Sequence, residues 1–220
     1  MALVAFKDLV IDVEDPAAFA ERWSRWLHLH RRIDEVGAVL RGRQPQQTIW
    51  LNPAPPKTVK NRVHLDIVGR DPSAFEGLDR LTEPGEFSWT TYQDPEGHEF
   101  CVFESVGRPE GLKDVVVDAV DHRAIGAWWA EVFGGTFDTN DEYSWVDDIP
   151  GAPVESFDFT PVPEPKTVKN RVHWDVVLLG DTEVEDLVAR GATVLVPPGD
   201  DRQWTVMADP EGNEFCVFDE

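Results

Sequence analysis

From Asp8 to Val13 the chain reads DLVIDV, with Leu9, Ile11 and Val13 on one side of an extended chain and Asp8, Val10 and Asp12 on the other. That alternation predicts a strand with one buried face. The next stretch, PAAFAERWSRWL, spaces Phe19, Trp23, Trp26 and Leu27 as on one helical face. Asp15 and Pro16 supply a cap and a first-turn residue. Strand-like GAVLRG and QTIWLN follow, and then the order restarts. RVHLDIV reads as a strand, DPSAFEGLDRL as a helix, FSWTTYQ and EFCVFE as strands. The second half repeats the series with DVVVDAV, the helical HRAIGAWWAEVF, and the strand-like EYSWVDD and SFDFTPV. VHWDVV, the helical TEVEDLVARGA, QWTVMAD and EFCVF complete it. A strand, a helix and two or three strands thus occur four times, an α+β pattern.

The repetition is also literal. KTVKNRVHLDIV at 57–68 returns as KTVKNRVHWDVV at 166–177, DPEGHEFCVFE at 94–104 as DPEGNEFCVFD at 209–219, and KDLVIDVED at 7–15 as KDVVVDAVD at 113–121. Matches in one order at similar offsets mark a tandem duplication. Gly and Pro cluster in GRPEG, Gly107 to Gly111, which divides the chain into domains 1–106 and 107–220. The Pro-rich NPAPPK and PVPEPK are connectors or strand ends, because Pro cannot donate to a ladder.

Composition narrows the function. With 42 acidic against 20 basic residues the net charge is −22, which argues against nucleic acid and anionic membrane surfaces as partners. The excess is read as solubility or as attraction for small cations. No apolar run reaches the roughly 18 residues of a membrane span. The opening MALVAFKDLVIDVEDP lacks a basic lead-in before a long apolar core, so a cytoplasmic protein is expected. Cys101 and Cys216 occupy equivalent places in the two halves, which speaks for two separate thiols in a reducing compartment.

VHxD, then W-T, then DPEGxEFCVF, twice over and within four strand–helix–strand units, resembles the vicinal oxygen chelate superfamily. That group includes glyoxalase I, bleomycin-resistance proteins and extradiol dioxygenases; the narrower likeness is to a glyoxalase-like domain. The resemblance implies βαβββ modules, four in all, paired into two domains with concave sheets and a small-molecule pocket in each. It also implies a divalent metal held by one residue from the first and one from the last strand of each module. On that pattern the ligand positions fall at Asp8, His64 and Cys101 in domain one and at Asp114, His173 and Cys216 in domain two. The fourth falls near Leu51 and Thr160, with Asp158 a neighbour on the same face. Asp, His and Cys suit zinc, but the set is not the usual oxygen-rich one and Leu51 leaves a gap. The cofactor therefore stays unknown, with a divalent metal disfavoured.

Alternation assigns the pocket face independently: His64, Asp66, Glu99 and Cys101 in one half, His173, Asp175, Glu214 and Cys216 in the other. Glu99 and Glu214 are tentative catalytic acids or bases. A wall histidine bonded to Asp66 or Glu99 would titrate above its ordinary value. Asp66 and Asp175 either face a cavity or pair with Arg62 and Arg171. Trp89 and Trp204 either fill the core or line the pocket. DPEG is read as a turn, Gly97 supplying the unusual backbone angle. Three functions remain open: metal-free binding of a cationic or polar aromatic molecule, including a sequestered antibiotic; a metal-dependent lyase, isomerase or dioxygenase; and a scaffold with filled pockets.

Overall fold

A computed structural model describes residues 1–219. The first module comprises β1 (Val4–Val13), α1 (Pro16–Trp26), β2 (His30–Ile33), β3 (Ala38–Arg41) and β4 (Thr48–Pro53). The second has β5 (Val63–Val68), a 3-10 turn at Pro72–Phe75, β6 (Asp79–Arg80), β7 (Thr90–Gln93) and β8 (Glu99–Phe103). The third has β9 (Gly111–Ala119), α2 (His122–Phe133), β10 (Thr136–Thr139), β11 (Ser144–Asp147) and β12 (Ser156–Pro161). The fourth has β13 (Val172–Leu178), α3 (Val184–Val188), β14 (Thr193–Val196), β15 (Thr205–Ala208) and β16 (Glu214–Phe218).

Four modules and two paired sheets agree with the expectation. Which modules pair does not follow the order along the chain. One eight-stranded sheet runs β14-β15-β16-β13-β1-β4-β3-β2, the other β10-β11-β12-β9-β5-β8-β7-β6. The first module therefore shares a sheet with the fourth, and the second with the third. At each centre two first strands pair antiparallel, β1 with β13 and β5 with β9. Within a module the first and last strands are parallel, as in β1 with β4 and β5 with β8. The Pro-rich connectors carry the chain from one sheet to the other, whereas residues 104–110 join two strands of the same sheet.

The core lies between the sheets. Helix α1 packs on β3 and β4 of its own module. Its Trp23 and Trp26 reach the other sheet, each with a ring centroid 5.1 Å from Phe100. Trp129 of α2 likewise crosses to Trp174 at 5.0 Å and Phe215 at 5.1 Å. Asp15 caps α1 through the N–H groups of Ala17 and Ala18, both at 3.0 Å. The expected helix DPSAFEGLDRL is a correction: it shrinks to the 3-10 turn, ended by Gly77 at φ 85°. Trp23 and Trp26 already cover Phe100, and Phe75 alone is needed to close that side. TEVEDLVARGA keeps only a five-residue helix around the buried Leu187. Among the described residues no helix is long and apolar enough to cross a membrane.

DPEG does more than turn the chain. Asp94 Oδ1 accepts the N–H groups of Glu96 and His98 at 2.9 Å, and its Oδ2 accepts the Trp23 indole at 3.0 Å. Glu96 accepts the N–H groups of Glu14 at 2.7 Å and Asp15 at 3.1 Å, pinning the β1–α1 corner of the other sheet. Asp209 and Glu211 repeat every element of this tie, with Trp129, Val120 and Asp121 as partners. An indole, four amides and two carboxylates thereby lock the sheets together in each half. That need accounts for the repeated motif without any chemistry.

Candidate functional site

The face of each sheet turned from the core carries the candidate residues. In β5, Val63, Leu65 and Ile67 enter the core and leave His64 and Asp66 on the outer face; in β8, Phe100 and Val102 do so and leave Glu99, Cys101 and Phe103. One device was not foreseen. Asp66 pairs with Asp114 but Ile67 with Leu112, so Lys113 is the extra residue of a β-bulge. The bulge brings Lys113 to the same face as Asp114, where its ammonium bonds that carboxylate and lies 4.7 Å from the Phe103 ring centroid. Lys7 repeats this, 2.7 Å from Asp8 Oδ2 and 4.2 Å from the Phe218 ring centroid. The repeated Lys-Asp at the head of both strands was the signal, hidden because strict alternation sends neighbours to opposite faces.

On the sheet of modules two and three these residues line an open cleft of about 830 Å³. Phe87, Trp89 and Phe103 form a stacked wall, with centroids 4.8 and 5.5 Å apart in turn. The floor is polar. His64 Nε2 lies 3.7 Å from Cys101 Sγ and 3.5 Å from Asp66 Oδ1. Burial pushes Asp66 up to about 8, and the facing Asp114 adds to it while Lys113 opposes it. Burial and Asp114 likewise raise Asp158 to about 7, although the Ser156 hydroxyl donates to it at 2.6 Å. Asp114 itself accepts the Ser156 N–H at 3.1 Å, with the hydroxyl oxygen at the same distance.

The other sheet groups His173, Asp175 and Cys216 within 4.8 Å of one another, facing Asp8. Burial, then Asp8, raises Asp175 to about 8. Its wall differs. Register places Trp50 opposite Val10 where the first sheet has Asp158 opposite Val116. The Trp50 indole donates to Asp8 Oδ2 at 3.1 Å, and Trp204 stacks on Phe218 at 5.4 Å.

The exchange of modules corrects the expected groupings. Asp8 sits with His173 and Cys216, and Asp114 with His64 and Cys101, because each group draws on both halves of the chain. Leu51 and its counterpart Phe159 point into the core; Trp50 and Asn52, Asp158 and Thr160 occupy the outer face. His64 and His173 are not raised: burial dominates and lowers both to about 4. Arg62 and Arg171 do not reach Asp66 or Asp175 and donate instead to backbone carbonyls. Trp89 lines the cleft rather than the core. Glu99 lies in the cleft wall with Lys60 at 3.8 Å, whereas Glu214 accepts Lys166 at 2.6 Å and the Asn170 N–H at 3.0 Å. Both thiols are free and buried, and burial raises them, Cys216 to about 12. They are poor nucleophiles.

The family's metal can be tested against these donors. Asp114 does not fit, because Lys113 and Ser156 take its oxygens. His64, Asp66 and Cys101 do. Bonds of about 2.0–2.3 Å to a tetrahedral ion place donors about 3.3–3.8 Å apart. The 3.5 and 3.7 Å separations fall in that range, and Asp66 Oδ1 is buried without a hydrogen-bond donor.

Residues 8–103 and 114–218 each match the glyoxalase-like domain. The chain belongs to that family and carries two copies of its domain. Glyoxalase I from Zea mays superposes with a TM-score of 0.67 at 16% identity, over 98% of this chain and 92% of that one. A Bacillus subtilis protein provisionally described as a dioxygenase gives 0.69 at 12%, over 99% and 86%. The cppA protein from Streptococcus pneumoniae gives 0.55 at 11%, over 100% and 99%. At such identities the likeness is one of fold. No curated protein matches the chain.

Proposed function

We propose that the cleft shared by modules two and three binds a small organic molecule carrying an aromatic ring and a cationic or hydrogen-bond-donating group. The observation that carries this reading is the wall of Phe87, Trp89 and Phe103 standing over a floor of buried carboxyl groups. Aromatic faces attract rings and cations alike. Asp118, Glu99 and Glu142 add negative charge to the rim, against Lys60 and Lys113. Asp66, with its value near 8, holds a proton at neutral pH and offers it to a ligand oxygen or nitrogen. Asp158, near 7, stands beside it as acceptor. The two groups are placed to pass a proton through a bound molecule, so binding and proton-transfer catalysis share one site. Two unpaired thiols support a cytoplasmic setting.

A thermal-shift and calorimetric screen tests the reading with benzyltrimethylammonium and catechol as probes. Saturable binding abolished by a bulky residue at Asp158 is expected. Neither probe nor any member of a wider aromatic-amine set binding at millimolar concentration would overturn it.

A second reading is favoured by the spacing of His64, Asp66 and Cys101, which would hold a divalent ion such as zinc. Such an ion supplies Lewis-acid polarisation of a substrate oxygen. His64 is already neutral and ligand-ready, Asp66 and Cys101 complete the donor set, and the stacked wall of Phe87, Trp89 and Phe103 flanks the floor. Plasma mass spectrometry on untagged protein decides it. About one equivalent of metal, lost in His64→Ala, supports this reading; a metal-free protein that stays so after dialysis against Zn, Ni, Mn and Fe rejects it.

A further inference from the structure

The most faithfully repeated segment of the chain, KTVKNRV, reaches the cleft of modules two and three only through Lys60. Its two copies meet where the connectors cross between the sheets, around a separate cleft of about 340 Å³. In a chain with twice as many acids as bases, that cleft is lined by Lys57, Lys60, Arg62, Lys169 and Arg171, with Asp12 the one acidic residue among its lining.

Two of these charges are spoken for. Lys169 pairs with Asp12, and Lys60 with Asp118 at 2.8 Å. The other three are not. Arg62 donates to the carbonyls of Glu164 at 2.6 Å and Asp118 at 2.9 Å, Arg171 to those of Asp12 at 3.0 Å and Pro55, and Lys57 to that of Gly97. Carbonyl dipoles satisfy N–H geometry but leave the full charge uncompensated. Among the described residues none of the three forms an ion pair, and Arg62 Nε is buried with no acceptor at all. Burial pushes Lys57 below its ordinary value, and Arg171 and Lys60 push in the same direction against Glu99 and Asp94. Like charges collected in this way, with spare donors, are what a bound anion would relieve.

We propose that the cleft between the two KTVKNRV copies is a binding site for a phosphate-class oxyanion, distinct from the pockets on the sheet faces. The two forks of Arg62 and Arg171, related by the duplication, and the ammonium of Lys57 supply donors to the oxygens. Its volume admits a diphosphate as well as a single phosphate.

Calorimetry of the full chain with orthophosphate and with pyrophosphate, in a low-salt buffer free of both, tests this. One saturable site per chain is expected. Lys57→Gln should weaken it by about tenfold, the loss of one charged hydrogen bond. Asp12→Asn should tighten it, because Lys169 is released to the cleft; a gain of affinity does not arise from misfolding. Asp158→Asn, on the sheet face, should leave it unchanged. No heat and no rise in Tm at about 10 mM of either anion would overturn the proposal. So would binding that ignores both Lys57→Gln and Asp12→Asn, or a response to citrate with none to the two phosphates.

Discussion

The two sheets began as copies and now differ in the middle of the last strand of an odd module. In one, Asp158 joins Asp66 and Asp114 on the floor of a wide cleft; in the other, Trp50 occupies that place and bonds Asp8. The donors beneath are unchanged: His, Asp and Cys are grouped in both, each beneath a bulged Lys-Asp pair. Duplication has kept the His, Asp and Cys group and varied the residue beside it on the last strand of the odd module. The difference teaches that similar donor sets are not by themselves similar sites.

The largest effect expected from erasing this difference is Asp158→Trp. It should cost the cleft its aromatic-ammonium binding by about a hundredfold, whereas Trp50→Asp leaves that binding intact. Titration of both variants with benzyltrimethylammonium checks it. Next in size, Trp89→Ala should weaken the same probe by about tenfold through loss of one stacked, cation-binding face. Trp204→Ala, its counterpart on the other sheet, should not. Equal losses would mean that both faces bind. The smallest effect concerns the paired interiors, where His98 stands in one half and Asn213 in the other. Burial lowers His98 to about 4 from 6.5. The folded protein thus keeps it neutral where the unfolded chain takes up a proton, and stability is lost as pH falls through that window. His98→Asn reproduces the other half, where the Asn170 side chain donates to Asn213 at 2.9 Å. Its Tm should fall several degrees less than the parent's between about pH 6.5 and 4.5. An identical pH profile would show that His98 takes up its proton as readily in the folded protein as in the unfolded chain.

Much of the architecture was open to reading. Leu9 and Ile11 in β1, Val63 and Leu65 in β5, and Phe100 in β8 declared the buried faces, because a period of two leaves one choice of side once a core exists. The caps and helices at Pro16–Trp26 and His122–Phe133 were equally plain. The 3-10 turn at Pro72–Phe75 was not. Local propensity favoured a helix there, and only the neighbouring Trp23 and Trp26, from another module, make one unnecessary. Lys7 and Lys113 escaped notice for a related reason: a bulge is a property of two paired strands, and neither strand carries it alone.

Periodicity and repetition were enough to determine four modules, their buried and outer faces, and which side chains share an outer face. These are local properties, dictated by side-chain direction along each strand and by the apolar residues that must leave water. Which module partners which was decided by the tertiary fold alone. Within-half and between-half pairing satisfy the same hydrophobic pattern and the same ladders. The choice lies in connectors that cross between the sheets and in indoles that reach over to Asp94 and Asp209. That choice set Asp114 rather than Asp8 beside His64, and so decided which residues make each site.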